Sequence, residues 1–241
     1  MTAPAGKRNH SAAHERMTHA VGLCAMVIAA VFAAEGEPGF SRSVTPGLMD
    51  HFARLFGQGA RGRLEGWKEF VRSSAGRVEQ APGGAEGPGQ LSPVNGFFNR
   101  LPSIEDSVQW RVEDYWATPA EFLSSRGGDC EDYAIAKYFT LKELGVPVSR
   151  LRLVYARTWK ARGAHMVLAY FASPGADPLV LDNLEGGIRR AADRPDLIPV
   201  YMFNDDDMQF VQQGAGEARH DPMSIRKWRG VMEKLARELS L

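Results

Sequence analysis

The spacing of apolar residues changes partway along the chain, from a helical period to a period of two. Residues 41–74 carry apolar stripes at i, i+3 and i+4, which are typical of amphipathic helices. A further helical pattern begins at Cys130 and is closed by a glycine and a proline. After Pro147, alternation over residues 151–156 predicts a strand. Helices followed by an antiparallel sheet predict an α+β domain.

Three more strands and a closing helix complete the pattern. The predicted strands are short apolar runs bounded by turn residues, at 165–171, 179–184 and 198–203. Because Pro199 cannot donate to a strand ladder, the last of these strands is expected at a sheet edge. Residues 224–241 have their apolar positions on one face, which predicts a final amphipathic helix.

The N-terminal segment differs from the rest of the chain. Basic residues precede an uncharged, mostly apolar run at residues 20–34. The run has the length of a signal-peptide core and is short for a membrane span, so residues 1–34 are predicted to be a signal peptide cleaved near Ala33. An uncleaved membrane anchor is the alternative. Residues 35–241 are then expected to form one domain, with the Gly/Pro-rich stretch 80–90 as a flexible loop insertion.

The composition favours a globular protein without affinity for nucleic acid. The 241 residues include 29 basic and 29 acidic side chains, so the formal net charge is zero, and 44% of the residues are hydrophobic. A balanced chain has no net field to attract nucleic acid, and no stripe of basic residues with interleaved aromatics occurs in the sequence. The length suffices for one domain with a full core.

A loop of two glycines leads into Asp129-Cys130-Glu131-Asp132 at the start of a predicted helix. Asp129 is the expected N-cap. Cys130 then lies in the first turn, where the helix dipole lowers a thiol pKa from its ordinary value of roughly 8.5 and favours the nucleophilic thiolate. Because Cys24 belongs to the predicted signal peptide, Cys130 is left as a lone thiol. In an oxidising compartment such a thiol is a liability unless it is used.

Two later residues complete a candidate catalytic triad with Cys130. His165 opens the second predicted strand, and Asp182 lies in the third. A hairpin that pairs His165 with Asp182, with residues 172–175 as its loop, puts both side chains on one face. The imidazole can then take the thiol proton, while the aspartate fixes the imidazole tautomer and stabilises its charged form. Cys130, His165 and Asp182 are therefore the predicted nucleophile, base and orienting acid.

The three carboxylates around Cys130 oppose this chemistry. Negative charge from Asp129, Glu131 and Asp132 raises the thiol pKa and disfavours the thiolate. A hard divalent cation bound by these oxygens offsets that charge, and calcium, with about 6–8 oxygen ligands, suits such a site. Equally, the carboxylates can complement the positive end of the helix dipole without any metal. The residues alone leave both interpretations open.

The motif Gly-Gly-Asp-Cys-Glu-Asp-Tyr-Ala at residues 127–134 resembles the bacterial transglutaminase-like cysteine proteases, the LapG family. The segments that begin at His165, Pro178 and Pro199 share this likeness, which runs from about Trp67 to Asn204. The resemblance implies a papain-like, transglutaminase-like fold, in which a central cysteine-bearing helix packs on an antiparallel sheet. It also implies the catalytic residues Cys130, His165 and Asp182, and the calcium ligands Asp129, Glu131 and Asp132.

Members of this family are periplasmic proteases that clip large RTX-type surface adhesins in the N-terminal region, at a di-alanine site. The cut releases the adhesin and disperses biofilm. An inner-membrane receptor of the LapD type, which senses cyclic-di-GMP, sequesters the protease through its periplasmic domain. The resemblance therefore implies a calcium-dependent periplasmic endopeptidase. Two alternatives stay open: a transglutaminase with the same triad, and a non-catalytic calcium-responsive binding protein.

Overall fold

The computed structural model describes residues 44–75, 89–160, 164–211 and 220–241. The expected signal peptide at residues 1–34 and positions 80–88 of the expected loop lie outside these ranges, so both stay predictions. Within the described ranges, no helix combines the length and the apolar character that crossing a bilayer requires.

Along the described residues, six α-helices precede the sheet and one follows it. They are α1 (Pro46–Phe56), α2 (Gly59–Ser74), α3 (Leu91–Asn99), α4 (Asp106–Gln109), α5 (Pro119–Ser125), α6 (Cys130–Glu143) and α7 (Arg226–Glu238). Thr45 caps α1, since its hydroxyl accepts from the N–H of Leu48 at 3.1 Å. The last helix begins two residues later than expected, because Pro222–Ser224 form a 3₁₀ turn before it.

The six strands within the described residues form one antiparallel sheet in the order β4-β3-β2-β1-β5-β6. They are β1 (Leu151–Thr158), β2 (Ala164–Tyr170), β3 (Leu179–Leu181), β4 (Arg189–Arg190), β5 (Leu197–Phe203) and β6 (Met208–Phe210). The four expected strands correspond to β1, β2, β3 and β5. The remaining two strands are too short to show a period in the sequence, and for this reason they were not predicted.

The expectation that Pro199 marks a sheet edge is wrong. β5 is an interior strand, flanked by β1 and β6. Pro199 pairs with Ala156, at the point where the register between β1 and β5 shifts. An irregularity of this kind tolerates a residue that has no N–H to donate.

The cysteine-bearing helix α6 lies at the centre of the fold. Its residues from Asp132 to Leu141 are all buried, and the helix packs against β2 and β1. On another side, the ring of Phe139 stacks on Trp228 of α7, with centroids 5.7 Å apart. A helix buried on all sides has no solvent-facing polar stripe. The expected α+β fold, with a central helix against an antiparallel sheet, is confirmed.

Candidate active site

Two glycines in close contact with other parts of the chain lie just before the start of α6. Helix α5 ends at Ser125, its C-cap residue Arg126 has φ 76°, and two glycines follow. A Cβ on Gly127 would lie 2.3 Å from the carbonyl oxygen of Pro102, and a Cβ on Gly128 would lie 2.1 Å from Oδ2 of Asp132. Neither position has room for a side chain. The glycines therefore let two other parts of the chain press against the loop that precedes the cysteine.

The N-cap of α6 is Asp129, as expected, but its side chain makes no capping hydrogen bond. The expectation of a side-chain cap is therefore wrong. The Asp129 carboxylate instead has an oxygen close to those of Asp106 and Asp132. Asp132 ties the helix to the segment before α5, since its Oδ1 accepts from the N–H of Ala117 at 2.7 Å.

The thiol of Cys130 lies between strand β2 and Glu131. Its Sγ accepts from the N–H of Met166 at 3.4 Å, and the thiol donates to Oε2 of Glu131 at 3.1 Å. Burial first, and then the negative charge of Glu131, raises the pKa of the thiol well above its ordinary value. The protein's own groups therefore favour the protonated thiol. Burial and the nearby carboxylates therefore outweigh the lowering of the thiol pKa that the helix dipole predicts.

His165 and Asp182 form a buried pair next to the residue that contacts the thiol. Nε2 of His165 is 2.8 Å from Oδ1 of Asp182, and the side chains are 2% and 0% exposed. The N–H of Leu184 donates to the same carboxylate oxygen at 3.0 Å. Burial alone would raise the pKa of Asp182, but the hydrogen bond from His165, together with the charge of that ring when it is protonated, holds the pKa below its usual range. An ionised Asp182 that accepts from Nε2 places the ring proton there and leaves a lone pair on Nδ1.

The expected register between His165 and Asp182 is wrong by two residues. Strands β2 and β3 pair Leu168 with Leu181, so Asp182 lies just beyond the end of β3. The connecting loop is correspondingly longer than the expected residues 172–175. Because side chains alternate with a period of two, a shift of two residues preserves the face, and the two side chains still meet.

Five carboxylates gather at the N-terminal end of α6. Oxygens of Asp106, Asp129 and Asp132 all lie within 4.8 Å of one another. Oxygens of Asp106, Asp114 and Glu131 form a second group of the same size. The three acidic residues expected from the sequence therefore do not form one group by themselves. Asp106 belongs to both groups and connects them.

Three buried oxygens in this cluster have no hydrogen-bond partner among the described residues. They are Oδ1 of Asp106, Oδ1 of Asp129 and Oδ2 of Asp132, one from each member of the first group. Converging, buried and unpartnered carboxylate oxygens fit a hard divalent cation, which would supply the missing partner. The interpretation in which the carboxylates only complement the helix dipole leaves these oxygens unexplained.

The pKa values of the clustered carboxylates also fit a bound cation. Burial, followed by the charge of neighbouring carboxylates, raises the pKa of Asp129 to about 9. Burial also raises the pKa of Glu131 to about 7, and it raises the pKa values of Asp106 and Asp132. A nearby cation favours the ionised form of each carboxylate. The cluster therefore reaches its charged state at neutral pH far more readily with a metal ion than without one.

Asp106 and Asp114 were not found from the sequence, because a tertiary contact brings them to the site. Ser103 and Gly128 form an isolated parallel bridge, and the N–H of Ile104 donates to the carbonyl oxygen of Gly128 at 2.8 Å. This contact lays the segment before α4 alongside the glycine loop. No local spacing in the sequence signals such a contact.

The fold and the site define a class of protein. The bacterial transglutaminase-like cysteine proteinase family matches residues 73–196, a range that includes Cys130, His165 and Asp182. The chain belongs to this family. The family resemblance seen in the sequence is confirmed.

Solved structures of LapG from Legionella pneumophila are similar to this chain. The EGTA-treated form is 35% identical with a TM-score of 0.63, and the match covers 78% of this chain and 97% of that one. The calcium-bound form is 36% identical with a TM-score of 0.61, over the same shares of the two chains. No curated protein gives a significant match. The transglutaminase-like fold expected from the sequence is thereby confirmed.

Proposed function

We propose that this protein is a calcium-dependent cysteine endopeptidase, with Cys130 as nucleophile, His165 as general base and Asp182 as orienting acid. One arrangement carries the proposal. The thiol at the start of α6 is 3.4 Å from the strand amide that follows His165, whose imidazole is 2.8 Å from Asp182. Membership of a cysteine proteinase family supports hydrolysis over transfer to an amine.

The two ring nitrogens of His165 have different tasks in this mechanism. Nε2 is committed to Asp182, so Nδ1 takes the thiol proton and gives a thiolate–imidazolium pair. The thiolate attacks the scissile carbonyl, with the first-turn amides of α6 as donors to the oxyanion, and the imidazolium protonates the leaving amine. Water then attacks the thioester, with His165 as base, and the thiol is restored. Asp182 stays ionised and stabilises the imidazolium.

Calcium is the proposed resident ion of the acidic cluster. Asp106, Asp129 and Asp132 would hold it through the buried oxygens that lack other partners, with Asp114 and Glu131 alongside. The existence of calcium-bound and EGTA-treated structures of a similar protein supports calcium over other hard cations. When bound, the ion supplies positive charge beside the thiol and offsets the carboxylates that raise its pKa.

The proposed substrate is a large RTX-type surface adhesin, cut in its N-terminal region at a di-alanine site so that biofilm disperses. The proposed location is the periplasm, reached through the signal peptide at residues 1–34. The proposed regulator is the periplasmic domain of a LapD-type inner-membrane receptor that senses cyclic-di-GMP. Support for all three comes from the family match and from the shared motif around Cys130.

Incubation of the purified protein with N-terminal fragments of candidate adhesins tests the proposal. We expect a single cut, mapped by sequencing the fragments, that requires calcium and is lost in Cys130→Ala and His165→Ala. Isopeptide cross-links in place of cleavage would instead establish the transglutaminase. Calcium-dependent binding of the fragment that is unchanged by Cys130→Ala, with no cleavage by either protein, would establish the binding protein.

A further inference from the structure

Asp182 has a second charged partner on the oxygen that His165 leaves free. Nη2 of Arg194 is 2.8 Å from Oδ2 of Asp182, whereas His165 and the N–H of Leu184 both bind Oδ1. Arg194 is only 3% exposed, and it follows the 3₁₀ turn Ala191–Asp193. Donors from three separate segments therefore fix both oxygens of the carboxylate.

The charge of Arg194 is itself balanced by a second buried carboxylate. Nε and Nη2 of Arg194 donate to the two oxygens of Asp196 at 2.9 and 2.8 Å, as a bidentate pair. Asp196 also lies 3.6 Å from Nζ of Lys160, which in turn pairs with Glu185 at 2.5 Å. Alternating charges thus run inward from the surface. Because Asp196 balances the positive charge of the guanidinium, the negative charge of Asp182 can still stabilise the imidazolium of His165.

We propose that Arg194 is a positioning residue, which holds Asp182 in the orientation that accepts from Nε2 of His165. The inference rests on the proposed roles of His165 and Asp182. Nη2 of Arg194 donates to both Asp182 and Asp196, so its removal leaves these two buried carboxylates near each other without the cation that joins them. Such a pair takes up a proton or moves apart.

The consequence for His165 concerns its tautomer. A protonated or rotated Asp182 no longer selects the form with the proton on Nε2. Nδ1 then carries the proton for part of the time and cannot accept one from the thiol. The backbone at Asp182 is anchored separately, since Nδ2 of Asn99 donates to its carbonyl oxygen at 2.7 Å. A change at Arg194 should therefore act on the carboxylate rather than on the course of the chain.

The test compares Arg194→Met, Arg194→Lys and the control Arg152→Met in the full chain with calcium. Arg152 on β1 also pairs with a mostly buried aspartate, Asp207 at 3.5 Å, but its strand carries none of the proposed catalytic residues. Cleavage of an adhesin fragment gives kcat and KM. Long-range ¹H–¹⁵N spectra of the His165 ring give the tautomer without reference to activity.

We expect Arg194→Met to lower kcat about 10–100-fold with little change in KM, the range seen when a partner that orients a functional group is lost. The His165 spectrum should change from the Nε2–H form to a mixture of tautomers. Arg194→Lys keeps the charge but lacks the planar fork, so its loss should be smaller, about threefold to tenfold. Arg152→Met should match the wild type in both measurements.

A folded Arg194→Met protein with the wild-type kcat and the wild-type tautomer would overturn the proposal. So would a loss of activity that only follows the folded fraction while the tautomer stays unchanged, because that result describes a structural role. If Arg194→Met does not fold, Arg194→Lys decides by the same two measurements. If the wild type cleaves no adhesin fragment, the proposed function fails, while the tautomer comparison still decides the role of Arg194.

Discussion

The clearest prediction concerns Lys137, a lysine at the centre of α6. It is completely buried, and among the described residues its Nζ has no hydrogen-bond partner. It interacts favourably with the Tyr133 ring, whose centroid is 5.7 Å from Nζ, and with the charge of Asp182. Burial lowers the pKa of Lys137 to about 7 from the ordinary 10.5, against the raising effect of Asp182. Lys137→Met, a change of similar volume, should therefore stabilise the protein.

The size of the effect follows from the two pKa values of Lys137. At about 1.4 kcal/mol per pKa unit, the gap corresponds to about 5 kcal/mol, of which about 4 kcal/mol acts at pH 7. The unfolded chain holds the lysine proton up to its ordinary pKa, whereas the native chain releases it near pH 7. The native state is therefore disfavoured most at and below pH 7, and the penalty fades as the pH rises toward 10.5. The stabilisation by Lys137→Met should shrink by about 2 kcal/mol between pH 7 and pH 9.

Urea unfolding of both proteins in saturating calcium, at pH 7, 8 and 9, measures this difference. Lys68→Met is the matched control, because Nζ of Lys68 is only partly buried and donates to the carbonyl oxygen of Val44 at 3.0 Å. It gives the effect of a Lys→Met change outside the buried centre of α6 in the same assay. If Lys137→Met were less stable than the wild type at pH 7, with a constant difference up to pH 9, the buried amine would be a stabilising charge and the reasoning would be refuted.

Three further predictions concern the acidic cluster and the glycine loop. In chelator, the raised pKa values of Asp129 and Glu131 mean that the native chain binds more protons than the unfolded chain, so Tm should fall from pH 5 to pH 8. Calcium should remove most of this dependence of Tm on pH. A Tm that rises with pH in chelator would contradict the prediction. Asp106→Asn should weaken calcium binding at least about tenfold in titration calorimetry, whereas the exposed control Asp50→Asn should bind calcium as the wild type does. Equal calcium affinities of Asp106→Asn and the wild type would exclude Asp106 as a ligand. Gly128→Ala should lower the free energy of unfolding in urea by about 2 kcal/mol or more, because the new methyl group would clash with Asp132. The control Gly66→Ala should be slightly stabilising, because no atom lies within 4 Å of the added Cβ and alanine favours the helix.

The parts of the fold that local sequence determines could be predicted. The start of α6 at Cys130 follows from the glycine loop and the acidic first turn, and four of the six strands follow from short apolar runs. The predicted contact between the side chains of His165 and Asp182 is present, although the predicted strand register is wrong. Strand alternation explains why the error did no harm, since only an odd shift would have turned the two side chains to opposite faces.

The residues that sequence reasoning missed all act through tertiary contacts. Asp106 reaches the site by the backbone bridge to Gly128, and Arg194 reaches Asp182 from a turn between β4 and β5. Lys137 occupies a helical position where an exposed charge would be ordinary, and only the all-round burial of α6 makes it unusual. None of these three side chains has a local spacing that reports its partner, which is why pattern analysis could not find them.

The site therefore combines two buried charge systems with opposite effects on the chemistry. Burial and the carboxylates of Glu131 and Asp129 raise the pKa of the Cys130 thiol, and the proposed calcium ion would offset the charge of the acidic cluster. The chain from Arg194 to Asp182 acts on the imidazole and is balanced by Asp196 within the protein itself. In the proposed mechanism, only the first system requires an ion from outside the protein. Calcium should therefore change the reactivity of the thiol while it leaves the tautomer of His165 unchanged, and a calcium-dependent tautomer would show that the two systems are coupled.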